Sequence, residues 1–295
     1  MLNSIALGKI RLENRSLVAA LNSMRQTVQP APLTSSAIVA AMASEWRQEC
    51  TVEAVAATVS TNEDLVARAR VQQPARHLLR AADFQSAGRG RKRRAWHAAP
   101  GGALLFSVAI PITAASHALP PVTLACGVAI AESLLAHGVS VKLKWPNDIR
   151  IGERKLGGIL AELVADRSGS QTLVVGVGIN LQLNEDVRNE INQPAIALDE
   201  LGHGPQPTRE QWIGELGSAI LSASAQFLSL GFEPFRARFN RLLDSRGEVV
   251  DVLQDAVSAL PLSGRVIEVD NEGRLVIEAE GQRHAISVGD VSVRR

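Results

Sequence analysis

The stretch KWPNDIRIGERKLGGILAELV, residues 144–164, carries the clearest structural pattern of the chain. Mostly apolar residues occupy 149–151 and 156–164, and the tripeptide GER at 152–154 separates these two runs. Two apolar runs joined by three residues that include a glycine predict a β-hairpin. The segment before it, 145–148, contains a proline and two turn-forming residues, so it predicts a break. A β-sheet is therefore expected at the centre of the fold.

Further strands and helices are predicted on both sides of this hairpin. Apolar or alternating runs predict strands at residues 76–83, 103–110, 139–144 and 173–181. Apolar residues at helical spacing predict helices at residues 122–137, 208–228 and 233–242. Ser60, followed three residues later by Glu63, is a capping box that begins one more helix. Strands and helices in this irregular order predict an α+β protein, with a mixed β-sheet and packed helices, rather than a doubly wound sheet.

The composition changes toward the C-terminus. Five short β-rich runs follow one another there, separated by glycine-containing turns, and little chain remains for a complex active site. These runs predict a small β-barrel at residues 244–295 and place the catalytic body at 51–243. Residues 1–50 are weakly patterned and are interpreted as an appendage, apart from a helix that Ser35 or Ser36 would cap.

Composition and charge exclude several classes of protein. The chain has 295 residues with 31 basic and 30 acidic side chains, so its net charge of +1 gives no general attraction to nucleic acid or anionic membranes. Two cysteines cannot form a disulfide framework, and no cysteine or histidine cluster has the spacing of a zinc site. Residues 95–131 carry no charge, but prolines and glycines divide them into pieces shorter than the roughly 20 apolar residues of a spanning helix. The N-terminus lacks the pattern of a secretory signal, so a cytoplasmic protein is expected.

A glycine- and arginine-rich loop, GRGRKRR at residues 88–94, is the densest functional signal. Guanidinium groups offer paired donors, and glycines let backbone amides approach an anion, so the loop suits a phosphate or a carboxylate. A basic patch for nucleic acid is the alternative interpretation. Nucleic-acid surfaces usually place aromatic residues among their basic ones, and this chain contains no tyrosine and six phenylalanines. A local anion site is therefore favoured.

A lysine at the start of a glycine-containing strand is the second signal. Lys155 precedes an apolar run in which Gly157 and Gly158 mark the close approach of a ligand or of another backbone. Such a lysine is suited to stabilising a developing negative charge, although a strand-end lysine also commonly points to water. Asn147 and Asp148 offer oxygens that suit magnesium, and a simple turn is the alternative for Asp148.

Alternating glycines, GVGIN at residues 176–180, form the third signal. The sequence resembles half of a dinucleotide-binding fingerprint, but Leu181 stands where the third glycine is required, so a Rossmann site is not expected. Glycines at alternate positions of a strand leave one of its faces bare. We expect a flat ligand to lie there against the backbone.

Taken in order, these segments resemble the biotin protein ligases. The resemblance rests on STN at 60–62, FQSAGRGR at 84–91 with Trp96, KWPND at 144–148, KLGGILAE at 155–162 and GVGIN at 176–180. It extends from Val55 to the C-terminus, and it implies a class II synthetase-like catalytic domain followed by an SH3-like barrel. Some members of the family carry a DNA-binding winged helix. Residues 1–50 do not resemble one, so a monofunctional enzyme without a DNA partner is expected.

The resemblance implies a two-step reaction with biotin and ATP as substrates. The biotin carboxylate attacks the α-phosphate of ATP, with Mg2+ present, to give biotinyl-5′-AMP and pyrophosphate. A lysine of a biotin carboxyl carrier protein then accepts the biotinyl group. No tightly bound prosthetic group and no membrane partner are implied, and a homodimer is a possible assembly. Because a carboxylate and a triphosphate repel each other, such a site needs cations between them.

The resemblance also implies roles for individual residues. Lys155, Arg89 and Arg91 would be the catalytic cations. The biotin-binding residues would be Ser60, Thr61, Asn62, Gln85, Gly88, Arg89, Gly90, Arg91, Trp96, Lys155 and Gly158. The ATP-binding residues would be Arg91, Trp96, Asn147, Lys155 and Asn180. Asp148 would hold a magnesium ion.

The sequence departs from the family pattern at three places. Val59 stands where the family usually has aspartate, and Arg93 stands where it often has glycine, which predicts a stiffer and more basic loop. No aromatic residue lies in 192–197 to cover an adenine, so Ile196 is the candidate for that role. A lipoate ligase of the same fold is the nearest alternative enzyme. A nucleic-acid-binding protein that uses residues 88–94 is the alternative outside enzymes.

Overall fold

The structure is a computed structural model that describes residues 31–112, 121–202, 206–253, 261–287 and 289–293. Among these residues, the strands in chain order are β1 (Cys50–Thr58), β2 (His77–Gln85), β3 (Gly88–Arg89), β4 (Ala95–Trp96), β5 (Ala103–Ile112), β6 (Lys142–Lys144), β7 (Asp148–Ile151), β8 (Arg154–Ala165), β9 (Gln171–Asn180), β10 (Val249–Leu253), β11 (Leu262–Val269), β12 (Leu275–Ala279), β13 (Gln282–Ile286) and β14 (Asp290–Val293). The α-helices are α1 (Ser35–Ala41), α2 (Thr61–Val71), α3 (Val122–Ala136), α4 (Glu185–Glu190), α5 (Arg209–Leu230) and α6 (Glu233–Leu242).

A seven-stranded sheet forms the centre of the described structure, with the strand order β1-β2-β5-β9-β8-β7-β6. β1 and β2 pair in parallel, and every other neighbouring pair in it is antiparallel. The parallel pair requires a crossover connection, which contains α2. Strands β5 and β9 are buried along almost their whole length, which explains their nearly continuous apolar sequences. The prediction of an α+β protein with a mixed sheet is confirmed.

Helices pack on both faces of this sheet, so the core has two parts. α3, α5 and α6 contribute to the larger part, which contains the fully buried side chains of Trp212 and Phe106. α2 contributes Leu65 to the smaller part. Val174 and Val175 are adjacent on β9 and lie in the smaller and the larger part respectively, because successive strand residues point to opposite faces.

A second sheet of five antiparallel strands, in the order β13-β12-β11-β10-β14, lies toward the C-terminus. Two buried side chains connect it to the rest of the protein. The Asn240 side chain donates to the Val269 carbonyl at 2.9 Å and accepts from Val269 N at 2.7 Å. The Trp145 indole nitrogen donates to the Gly273 carbonyl at 3.0 Å. The β-rich runs of the C-terminal sequence are therefore strands that pack against the body.

The uncharged stretch at residues 95–131 contributes to the core. Its described residues include β5 and most of α3, and both elements are largely buried. None of the helices that the structure describes is long and apolar enough to cross a membrane.

Four elements, β1, α4 and the two-residue strands β3 and β4, are absent from the sequence-based expectation. β1 is an edge strand whose burial does not alternate, and α4 has six residues, too few for helical spacing to show. The cap of α1 is Thr34, whose Oγ1 accepts from Ala37 N at 3.4 Å, so the prediction of Ser35 or Ser36 is wrong. The Ser35 hydroxyl instead accepts from Ala54 N of β1 at 3.0 Å, which satisfies one backbone donor at the sheet edge.

Candidate active site

Most of the residues singled out in the sequence converge on one cavity of about 400 Å³. It lies between the first turn of α2, the arginine-rich loop (residues 88–94), the β7–β8 hairpin, β9 and the C-terminal sheet. The predicted site residues that line it are Ser60, Thr61, Asn62, Gln85, Arg89, Gly90, Arg91, Trp96, Asn147, Asp148, Lys155 and Gly158. Gly88 and Asn180 do not line this first cavity.

The first turn of α2 holds polar side chains against the first cavity. Ser60 is the N-cap, and its hydroxyl accepts from Glu63 N at 3.4 Å, as the sequence predicts. Thr61 N and Thr61 Oγ1 donate to Gln85 Oε1 at 2.7 and 3.0 Å, and Thr61 Oγ1 lies 2.8 Å from Ser107 Oγ. These bonds hold the Gln85 carbonyl toward α2. The amide nitrogen of Gln85 is then the group that can donate to a ligand.

Asn62 presents a buried acceptor that lacks a partner. Its Nδ2 donates to the Glu162 carboxylate, and its Oδ1 has no hydrogen-bond partner among the described residues. A Cβ on Gly176 would lie 2.7 Å from this Oδ1, so the glycine makes room for the amide. Buried polar atoms are normally hydrogen-bonded, so this oxygen is placed to accept from a ligand.

Trp96 covers the bare face of β9. Gly88 and Trp96 are paired across the β3–β4 ribbon, and the indole lies over Gly178. A Cβ on Gly178 would lie 2.7 Å from the indole Cε2, so this close approach requires glycine. The expectation that a flat ligand lies directly on the strand is therefore wrong at Gly178, where an indole of the same chain occupies that face. Gly88 packs beside the cavity, since a Cβ there would meet Gln85 Nε2 at 2.9 Å.

The arginine-rich loop turns tightly at Arg91–Arg93, where Arg94 N donates to the Arg91 carbonyl at 3.2 Å. Lys92 and Arg93 have φ values of +54° and +58°, in the left-handed region that favours glycine. Arg89 forms an ion pair with Glu63 of α2, and Arg91 also lines the first cavity. The loop therefore presents guanidinium groups to the cavity on a backbone that is locally strained.

Lys155 and Asp148 form an ion pair in the wall of the first cavity. Lys155 Nζ lies 2.7 Å from Asp148 Oδ1 and 5.8 Å from the centre of the Trp96 ring, and both charged side chains are 19% exposed. Lys144 is the cross-strand partner of Asp148, and its pKa is lowered mainly because burial disfavours the ammonium. Asp148 is thus flanked by two lysines, which leaves excess positive charge for an anionic ligand.

Asp148 is paired with a lysine in this structure, and its role as a magnesium ligand stays a prediction. The carboxylate faces the Lys155 ammonium, and the Asn147 amide donates to the Ile159 carbonyl at 3.0 Å. In the described part of the chain, no group of three or more His, Cys, Asp or Glu side chains could hold a metal ion. A magnesium ion would therefore reach the site together with the phosphates of a nucleotide substrate.

A second cavity, of about 520 Å³, adjoins the first. Arg94, Trp96 and Lys155 line both cavities, and Asn180 lines the second. Asn180 Nδ2 donates to the Ile196 carbonyl at 3.1 Å, and Lys155 O accepts from Ile196 N at 2.9 Å. Asn180 therefore lines the second cavity and, through its hydrogen bond to Ile196, also holds the segment that forms the wall of this cavity.

The wall of the second cavity corrects one expectation. Ile196 is fully buried and lines neither cavity, so it is wrongly placed to cover a base. Ala95, Ile191 and Ala195 are the aliphatic side chains that line this cavity. At its edge His97 Nδ1 lies 2.8 Å from the Glu190 carboxylate, which joins the loop after β4 to the end of α4.

Sequence reasoning missed several lining residues. Lys144 lines the first cavity and belongs to the KWPND motif. Its position opposite Asp148 on the β6–β7 hairpin was the signal that could have identified it. Ser107 lies inside the apolar strand β5 and gives no local signal. Leu253 and Val291 belong to the C-terminal sheet and line the first cavity. That sheet therefore contributes to the site, although the sequence assigned all of the chemistry to the body.

Comparison with known proteins agrees with this geometry. The family model described as the Biotin/lipoate A/B protein ligase family matches residues 54–180. The biotin–[acetyl-CoA-carboxylase] ligase of Mycobacterium tuberculosis is 32% identical over 260 residues, which are 84% of this chain and 90% of that protein. The bifunctional ligase/repressor BirA of Salmonella typhimurium is 29% identical over 214 residues, 72% of this chain, and the match spans 65% of the length of that relative.

A solved structure has the same fold. It is a biotin protein ligase from Aquifex aeolicus in complex with biotin and ATP, 25% identical, with a TM-score of 0.67. The match covers 84% of this chain and 99% of that one. Together with the Mycobacterium relative, it agrees with the resemblance that the sequence motifs had indicated. The chain therefore belongs to the biotin/lipoate A/B protein ligase family, among the relatives of the biotin protein ligases.

Proposed function

We propose that the protein is an ATP-dependent ligase that activates biotin as biotinyl-5′-AMP and transfers the biotinyl group to a lysine of a biotin carboxyl carrier protein. One observation carries the proposal: Lys155 lines both cavities. An ammonium there can contact a carboxylate bound in the first cavity and the α-phosphate of a nucleotide bound in the second. The names of the Mycobacterium and Aquifex relatives support the same two substrates.

The first cavity has the polar groups that a ureido ring needs. Such a ring carries one carbonyl, which accepts, and two N–H groups, which donate. Gln85 offers an amide nitrogen, and Asn62 offers a buried oxygen without a partner. The Trp96 indole gives an apolar wall for the fused rings. We therefore keep Ser60, Thr61, Asn62, Gln85 and Trp96 as the proposed biotin-binding residues, with Gly88 as a packing position of the loop.

The activation step depends on charge. A carboxylate oxygen of biotin forms a bond to the α-phosphorus while the bond from that phosphorus to the bridging oxygen of pyrophosphate breaks. Lys155, Arg89 and Arg91 would bring the two anions together and disperse the charge that develops on the phosphoryl oxygens. Lys155 and Arg89 are paired with Asp148 and Glu63, so anionic substrates would compete with these carboxylates for their cations.

The transfer step requires protection from water. The amine of the acceptor lysine, once deprotonated, attacks the acyl carbon, the bond from that carbon to the AMP oxygen breaks, and the amine proton that remains in excess leaves to solvent. A mixed anhydride is hydrolysed when water reaches it, so the intermediate has to stay covered until the carrier binds. The arginine-rich loop, which lines the first cavity and through Arg94 also the second, is the element that we propose covers it.

The test is pyrophosphate release from Mg-ATP by the purified full chain, with biotin, with lipoate and with neither. Biotin-dependent release of about one equivalent, with continuing turnover only after a carrier domain is added, is expected for an enzyme that retains its adenylate. Lipoate-dependent release would keep the fold and change the substrate. No release with either acid would contradict the ligase assignment, and titration with nucleic acid at several salt concentrations would test the remaining alternative.

We also infer that the C-terminal sheet closes into an SH3-like barrel. Its edge strands β13 and β14 are consecutive in the chain and only residues 287–289 separate them, so the sheet must curl to bring its edges together. We propose the division into a catalytic body at 51–243 and this barrel at 244–295, with 1–50 as the appendage. The monofunctional character, the absence of a DNA partner and the homodimer stay predictions.

A further inference from the structure

Glu162 lies outside both cavities but bonds to a residue in the wall of the first. Its carboxylate accepts from Asn62 Nδ2 in the first turn of α2. Glu162 itself is exposed on β8 and lines neither cavity. Any influence of Glu162 on a bound ligand must therefore pass through Asn62.

The carboxylate determines which way the Asn62 amide points. An ionised carboxylate accepts hydrogen bonds and donates none, so it bonds to the NH2 group of an amide and not to its oxygen. This contact directs Asn62 Nδ2 outward to Glu162 and Oδ1 inward. The inward oxygen is the buried atom that finds no partner among the described residues, and Gly176 leaves the space for it. With no fixed acceptor outside, the amide could rotate by half a turn and present a donor to the cavity instead.

We propose that Glu162 is a positioning residue that holds Asn62 Oδ1 as the acceptor for a ring N–H of the substrate, and that it thereby selects biotin against lipoate. The proposal rests on the proposed function. The dithiolane ring of lipoate has no N–H, so it would leave Oδ1 buried and unbonded. Sites built to hydrogen-bond one substrate reject an analogue that lacks the group by up to about 10⁴–10⁵-fold, so one fixed amide contributes usefully to selectivity.

The experiment compares wild type with Glu162→Ala and Glu162→Gln in two assays, calorimetric titration with biotin and steady-state pyrophosphate release. Glu162→Ala is expected to weaken biotin binding and raise the KM for biotin about 10- to 100-fold, the effect of losing one buried hydrogen bond. The kcat and the KM for ATP should stay within about two-fold, because Glu162 does not face the nucleotide. Glu162→Gln keeps an oxygen that can accept from Nδ2 but adds an NH2 group that can also pair with the flipped amide, so its biotin affinity should lie between those of wild type and Glu162→Ala.

Leu163→Ala is the matched control, since Leu163 is the neighbouring exposed residue on the same strand. It should bind biotin as wild type does. Equal biotin affinity in Glu162→Ala and wild type would overturn the positioning role. So would a parallel rise in the KM values for biotin and ATP together with a lower melting temperature, because that pattern means a structural role. If wild type binds no biotin, the proposed function fails and this inference fails with it. A parallel titration of wild type with lipoate then shows whether lipoate is the ligand instead.

Discussion

At the scale of single residues, the surroundings of Lys155 favour a role in charge stabilisation over one in proton transfer. Its ammonium pairs with Asp148 at 2.7 Å while facing two cavities. Gly158 leaves space beside it, since a Cβ there would lie 3.4 Å from Lys155 Nζ. The backbone of Lys155 is bonded to the segment beyond β9 through Pro194 O and Ile196 N, both at 2.9 Å. A cation fixed at both its backbone and its side chain is preorganised, which is what electrostatic stabilisation of a transition state requires.

We predict that Lys155→Met lowers kcat/KM for biotin-dependent pyrophosphate release about 100- to 1,000-fold, as the loss of one preorganised charged donor does in comparable sites. Methionine keeps the apolar stem, so folding should be little affected. Lys142→Met, at an exposed lysine of β6, is the control and should retain wild-type activity. Near-normal adenylate formation by Lys155→Met would remove Lys155 from the catalytic assignment.

The two cysteines allow a test of burial. Burial raises the pKa of the Cys126 thiol from 9.0 to about 12 and that of Cys50 from 9.0 to about 11. Because the folded protein holds these thiol protons more tightly, their contribution to stability is present below the unfolded pKa of 9.0 and is lost as the pH rises through these folded values.

We predict that neither thiol reacts with Ellman's reagent at pH 8 in the native protein and that both react in guanidinium chloride, because the thiolate is the reactive form. The urea midpoint should fall between pH 9 and pH 11. Rapid reaction of either thiol in the native protein would contradict the burial described here.

At the scale of elements, the arginine-rich loop combines function with strain. Arg93 at φ +58° adopts a conformation that costs an ordinary residue about 1–2 kcal/mol and costs glycine almost nothing. We predict that Arg93→Gly is more stable than Arg93→Ala by about 1 kcal/mol in urea unfolding, since both variants lose the guanidinium and differ only in backbone freedom. Equal stability of the two variants would mean that the loop does not hold this conformation in solution.

The helices and strands also show which features of the fold can be predicted from the sequence. Most contiguous signals were reliable: the capping serine Ser60 begins α2, and α6 has the predicted bounds 233–242, whereas the cap of α1 was misplaced by one or two residues. Features that depend on residues distant in the sequence were not predicted reliably. At the exposed Val59, backbone bonds from Ser86 and Ala87 to Thr58 and Val59 extend the pairing of β1 with β2, a support that no pattern around residue 59 predicts.

The same distinction between contiguous and long-range features holds for the candidate active site. Its motif residues could be recognised because their chemistry is contiguous in the chain. The indole over Gly178, the Asn62 contact with Glu162 and the contributions of Leu253 and Val291 join segments far apart in sequence. No local pattern encodes such contacts, because strand order and helix packing create them.

At the scale of the whole molecule, positive charge is concentrated around the first cavity although the chain is nearly neutral. The net charge is +1, yet Arg89, Arg91, Lys144 and Lys155 all line the first cavity. Charges gathered in a cleft raise the local concentration of an anionic substrate, whereas the same charges spread over the surface would attract nucleic acid nonspecifically. The distribution therefore favours small anionic ligands over polyanions.

The C-terminal sheet completes the site because it is bonded to the body. Asn240 of α6, which is buried, makes both of its hydrogen bonds to the backbone of Val269. Leu253 and Val291 of the same sheet line the first cavity. A substitution that releases the sheet should therefore affect stability and substrate binding together, although Asn240 itself touches no ligand.

We predict that Asn240→Leu lowers the free energy of unfolding by about 2–6 kcal/mol, because a buried N–H and a buried C=O each lose a partner at about 1–3 kcal/mol. It should also raise the KM for biotin. Asn240→Asp keeps the oxygen that accepts from Val269 N but, when ionised, turns a second acceptor toward Val269 O, so at neutral pH it should also be destabilised and should regain stability at acidic pH. Asn271→Ala, at an exposed turn of the same sheet, should match wild type in both measurements. An unchanged urea midpoint and an unchanged KM in Asn240→Leu would mean that the sheet is an independent module whose contact with the body has no part in binding.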